Sequence, residues 1–170
     1  MTPSELDTPE DVKAGTVLGV KNAAVRKLNH ELGIPEGQIP VEKFEFLTRF
    51  HYWAADVVTH GTESPWGEHE IDYVLIARVP KSSLTIKPHP EEVDDVKWVS
   101  QSELSEAMKE GLWSPWFCII VKRWMNTWWS DLTKAITTQE YRDYDTVHEF
   151  DPPAKFMGGR GKAGPLFSST

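Results

Sequence analysis

An α/β fold of the α+β kind follows from three features of the sequence. Val17, Val20, Ala24, Leu28 and Leu32 repeat at three to four residues, the helical period, and Gly33 and Pro35 close the run. Two stretches rich in aromatic and β-branched residues, 44–53 and 66–79, are joined by a Gly, Ser and Thr loop and predict a β-hairpin. Two more helices are expected behind Ser100 and Ser114. At 170 residues the chain suits one domain with a core of its own, assigned to residues 1–150, and a flexible tail over 151–170.

Composition narrows the function. Lys and Arg total 18 against 26 Asp and Glu, a formal charge of -8, so no basic excess is available to neutralise a nucleic-acid backbone. A small anionic ligand needs only a few local cations. The one cysteine, Cys118, forms no internal disulfide, which makes a reducing intracellular compartment the default, cytoplasmic unless an organelle such as a plastid claims the chain. No apolar run reaches the length of a membrane span. Nothing in the pattern calls for an oligomer, and a monomer is expected. Eight tryptophans can be core, or can line an apolar pocket that excludes water or stabilises a cation.

Taken in order, residues 1–13 carry Pro3 and Pro9 and read as loop. On the first helix, 15–32, Lys27 and Glu31 stand four apart and share a solvated face, and Arg26 pairs likewise with His30. In the strand at 44–53, alternation groups Phe46, Thr48, Phe50 and Tyr52. Residues 57–65 are expected as loop leading into a central strand at 66–79, which Pro80 stops. Residues 81–90 read as loop and 93–99 as a short strand. Ser100 and Glu103 form a capping box for a helix reaching about Glu110. Ser114 as N-cap and Pro115 at N1 open a last helix whose stripe is Phe117, Ile120, Val121, Trp124, Trp128 and Leu132. Trp116 falls outside that stripe and is free to face a pocket. The tail sequence GGRGKAG is no phosphate loop, because Phe156 stands where the first glycine is needed and no Ser or Thr follows Lys162.

The chemistry concentrates in WGEHEIDYVLIARV, residues 66–79. A strand places Glu68, Glu70 and Asp72 on one side, neighbours about 7 Å apart. Such carboxylates hold a divalent cation between them, or raise one pKa into the range of acid/base work, or simply coat a solvated edge strand.

The ordered set VKNAAVRKLNHELGIP, FLTRFHYWA, WGEHEIDYVL, a strand ending KWVS, and SPWFCII before a Trp-rich helix resembles type I isopentenyl-diphosphate Δ-isomerases of the Nudix superfamily, over about residues 15–132. The resemblance implies a Nudix-like α/β/α sandwich around a mixed sheet. It implies that Glu70 is the catalytic glutamate and that Glu68 joins it on a structural metal. Tyr52 then assists proton delivery, and the indole face of Trp116 stabilises a tertiary carbocation. Glu31 holds Mg²⁺ (or Mn²⁺) against the substrate diphosphate, which Lys27 or Arg26 touches. The hydrolase signature R-E-U-x-E-E-x-G-U (U a bulky aliphatic) departs here: Lys27 and His30 replace two of its glutamates and only Glu31 survives. That departure points from hydrolysis to isomerisation.

The family's other catalytic group, a cysteine in a segment like N-T-C-C-S-H-P, precedes the part matched here, and Pro3 aligns with that segment's final proline. Cys118, inside the last helix, does not replace it. The N-terminal strands and histidine ligands are likewise expected upstream, which leaves the structural Zn²⁺/Mn²⁺ site incomplete. This chain alone is therefore expected to be inactive on isopentenyl and dimethylallyl diphosphate. Two rival readings are a Nudix diphosphohydrolase, marked by release of phosphate with Mg²⁺, and a non-catalytic relic or binding module.

Overall fold

The computed structural model describes residues 17–111, 113–152 and 154–158. The loop expected at 1–13 and the end of the tail lie outside the described residues. Helix α1 (Leu18–Leu32) forms on the predicted stripe. It ends as sequence implied: Gly33 adopts φ 61°, its N–H donates to the Asn29 carbonyl, and the Ile34 N–H donates to that of Leu28. A Cβ at Gly33 would also lie 2.3 Å from the Lys87 carbonyl oxygen, so glycine is required twice over.

Strand β1 (Phe44–Ala55) and strand β2 (Gly67–Ala77) form the predicted hairpin, antiparallel, with Tyr52 opposite Glu70. The connection is not all loop. Asp56 accepts the Thr59 N–H at 2.9 Å and starts the single turn of α2 (Val57–His60). The third strand is one the sequence reading missed: β3 (His148–Phe150) pairs parallel with β1, giving the order β2-β1-β3. The central strand is therefore β1, and β2 is an edge among the described residues. Residues 93–99, expected as a strand, form none. A strand needs a neighbour's hydrogen bonds. Here the Val96 N–H goes to the Asp95 carboxylate at 2.8 Å and the Val93 N–H to the His89 carbonyl, so local bonds have taken the ladder's place.

One bulge changes the inside of the sheet. The β1–β2 register slips between Phe46 and Thr48, so Leu47 is an extra residue. Leu47 joins Phe50, Tyr52 and Ala54 in the main core, while Phe46, grouped with them by simple alternation, instead meets the rings of Tyr73 and Tyr144. The two faces are covered by different helices. Val74 and Ile76 lie with the main core, and Leu75 and Ala77 pack with Ala24, Leu28 and Leu32 of α1. Helices on both faces of a mixed sheet are the expected α/β arrangement.

The capping box of α3 (Gln101–Ala107) forms between Ser100 and Glu103 as predicted. The last helix starts at Pro115, though the Ser114 hydroxyl makes no capping bond. It is not one regular helix. α4 (Pro115–Ile120) passes through a π-helical turn (Val121–Met125) into α5 (Asn126–Ser130). Asp131 then leaves the helical region and caps α6 (Leu132–Thr137) by accepting the Lys134 N–H. Trp124 and Trp128 stack at 5.6 Å and 5°. No helix among the described residues is long and apolar enough to cross a membrane.

Of the stretch expected as a tail, residues 154–158 are among those described. There Phe156 is 5% exposed and belongs to the main core, while Ala154 and Lys155 are exposed. The missed signal was one aromatic residue among glycines and prolines.

Candidate active site

Glu68, Glu70 and Asp72 share a face of β2 because side chains alternate along a strand. The hairpin register sets Ala54, Tyr52 and Phe50 opposite them, on the face covered by α4 and α5. The Tyr52 hydroxyl donates a short hydrogen bond to Glu68 Oε2. Burial, then the bond to Glu68 and the charges of Asp72 and Glu70, push the Tyr52 phenol well above its ordinary pKa. Tyr52 therefore stays protonated and can donate.

Asp72 differs from its two neighbours in surroundings. Its Oδ2 is buried with no hydrogen-bond partner among the described residues. Burial first, then the charges of Glu70 and Glu68, push its carboxyl up to about 6. Sequence reasoning placed Asp72 on this face but gave it no role. The signal was there, a third carboxylate at the same spacing closer to the apolar end of the strand.

The raised value fixes a sign. The folded carboxyl keeps its proton above the ordinary 3.8, so the folded state binds more protons than the unfolded between about pH 4 and 6. Stability then falls as pH rises through that window. Asp72→Asn removes the penalty and is expected to gain about 1–2 kcal/mol over the parent above pH 7, less than the whole shift because solvent screens a half-buried carboxyl. The gain should vanish below pH 4, as read by melting temperature at both pH values. A gain independent of pH would show that charge is not its cause.

The other nominated residues are placed differently. Trp116, 38% exposed, stands in the first turn of α4, its ring T-shaped to that of Phe117 at 5.7 Å. Its neighbour Pro115 and Glu68 both line a cleft of about 390 Å³, so α4 begins beside the Glu68 end of the carboxylate row. Lys27, Arg26 and Glu31 lie on α1, whose apolar side covers the opposite face of the sheet. Lys27 Nζ is 2.6 Å from Glu31 Oε1, and that bond holds the lysine above its usual pKa. The ion pair expected from their spacing is formed. Glu31 is not brought to Glu68 and Glu70. Among the described residues no group of three His, Cys, Asp or Glu is arranged to hold a metal ion.

A second polar chain crosses the other face. His51 Nδ1 lies 2.7 Å from Glu149 Oε2, and His51 Nε2 lies 2.7 Å from His69 Nε2, linking all three strands. Only the hairpin register and the unforeseen β3 bring these residues together.

Helices on both faces of a mixed sheet, with an acidic strand beside one helix N-terminus, define a class. The NUDIX domain family model matches residues 14–117, and the chain belongs to that family. Within it, the chain is similar to the isopentenyl-diphosphate Delta-isomerase of Dictyostelium discoideum, 41% identical over 138 residues, covering 78% of this chain and 54% of that protein. The enzyme of the same name from Schizosaccharomyces pombe is 43% identical over 126 residues, 73% of this chain and 51% of its own. The isopentenyl-diphosphate Delta-isomerase 1 of Bos taurus is 34% identical over 148 residues, 84% and 60%. The chain thus spans about half the length of the relatives it matches.

Proposed function

We propose that this chain carries the carboxylate side of an isopentenyl-diphosphate isomerase site. The observation behind the reading is the group Tyr52, Glu68, Glu70 and Asp72, gathered on one sheet face beside the start of α4. Moving a terminal double bond inward adds a proton to the end carbon and removes one from the carbon next to the cation formed. Glu70 takes one of these transfers. Tyr52 holds Glu68 and keeps a proton at hand, and Asp72, its carboxyl pushed up to about 6, supplies or stores one. The Trp116 face is the cation's neighbour. The Lys27–Glu31 pair disfavours a hydrolase, which needs a carboxylate cluster on this helix to activate water.

The test is conversion of labelled isopentenyl diphosphate to an acid-labile allylic product, by this chain joined to the cysteine-bearing segment of one of its relatives. A folded fusion without conversion would refute the reading.

Metal is a separate proposal. Two or three carboxylates without nitrogen or sulfur partners favour a hard cation such as Mg²⁺ or Mn²⁺, held weakly at Glu68 and Glu70. Titration calorimetry of the 170-residue chain should show weak Mn²⁺ binding that Glu70→Gln weakens further. Tight stoichiometric Zn²⁺ binding would contradict it.

A further inference from the structure

After β3 the chain turns back onto the β1–β2 hairpin instead of leaving the body. Phe156 packs in the same cluster as Tyr52 and Ala54. Two residues on, Gly158 has φ 54°, and a Cβ there would lie 2.6 Å from the Ala55 Cβ and 3.1 Å from the Ser64 carbonyl oxygen. The strap is therefore fitted to the hairpin at van der Waals distance, with glycine at the point of contact.

Between strap and hairpin lies the cleft that Glu68 lines. Its lining combines the small residues Ala54, Ala55 and Gly67 with Val57, Trp66, Pro115 and Phe156. Gly67 is itself obligatory, because a Cβ would lie 2.0 Å from the Ala54 carbonyl oxygen. Small residues make room and apolar ones, Val58 among them, bound it, with two carboxylates, Asp56 and Glu68, on its wall. That is the composition of a site for a short hydrocarbon group. Phe156, 5% exposed, is the large lining residue that belongs to the main core, and so is held against a longer guest.

We propose that Phe156 sets the length of the apolar chain this cleft accepts beside Glu68, holding it to an isopentenyl-sized group. This rests on the isomerase reading for the identity of the five-carbon ligand. The residue is specificity-determining, and the strap is a wall of the site.

The experiment titrates the full chain with isopentenyl diphosphate and with the ten-carbon geranyl diphosphate, and in parallel with the uncharged prenyl alcohols of the same two lengths. The parent should favour five carbons over ten. Phe156→Leu keeps the cluster filled and should shift that ratio toward ten carbons by about threefold, and Phe156→Ala by about tenfold or more. A shift seen with the alcohols, while neither diphosphate binds even to the chain joined to the cysteine-bearing segment of a relative, supports the role of Phe156 and refutes the isomerase reading. An unchanged ratio for both series in a Phe156→Leu variant that keeps the parent's melting transition overturns the proposal, as does a parent that binds neither series.

Discussion

Glu70→Gln, in the chain completed with a cysteine-bearing segment, is expected to lower isomerisation by about 10²–10⁴-fold. The amide keeps the size of the side chain and its place opposite Tyr52 but cannot exchange a proton at neutral pH. Binding of isopentenyl diphosphate should change little, so the loss belongs in kcat and not in KM. Three carboxylates on one face make the companion variants informative. Glu68→Gln alters the partner of the Tyr52 hydroxyl and should reduce turnover through that hydrogen bond. Asp72→Asn removes the one carboxyl pushed up to about 6. Should Asp72→Asn abolish turnover while Glu70→Gln leaves it intact, the proton-transfer role would pass to Asp72. Full activity in both variants would remove this face from the chemistry.

Phe50→Ala should cost about 3–5 kcal/mol of stability. Phe50 is fully buried on the central strand, and its ring meets those of Tyr52, Trp124 and Phe150 at 5.9–6.0 Å. Its loss opens a cavity where β1, β3 and the π-helical turn converge. The surrounding rings are held by the backbone on three sides and collapse into it only in part. A melting point lower by roughly 10 °C or more is expected, with the urea midpoint falling and the slope unchanged. Phe50→Leu, which refills most of the space, should lose less than half as much. Equal losses for the two substitutions would mean that ring contacts, not volume, hold this junction together.

Local rules decided much of this molecule in advance. The end of α1 at Gly33, the capping box at Ser100, and the common face of Glu68, Glu70 and Asp72 all depend on neighbours a few residues apart, and the hairpin of β1 and β2 on two successive strands joined by one short connection. Period and capping chemistry therefore sufficed, and the ordered motifs around WGEHEIDY pointed to the family that the comparison shows. The Lys27–Glu31 pair was legible for the same reason, being one helical turn.

Other features depended on partners far along the chain. Whether residues 93–99 or 148–150 became a strand was decided by which of them lay beside β1, and nothing in either stretch states that. The bulge at Leu47 moved Phe46 to the opposite face, an outcome of matching two strands to two different cores. Asp72 owes its raised pKa to burial supplied by distant elements, although its spacing from Glu70 was plain in the sequence. Phe156 looked like a stray aromatic in a loose tail until the cluster around Tyr52 and Ala54 took it in. Sequence alone determined the elements whose hydrogen bonds close locally and the face that carries the carboxylates. The tertiary structure decided burial, strand partners and the walls of the cleft, because desolvation and packing are set by groups that only folding brings into contact.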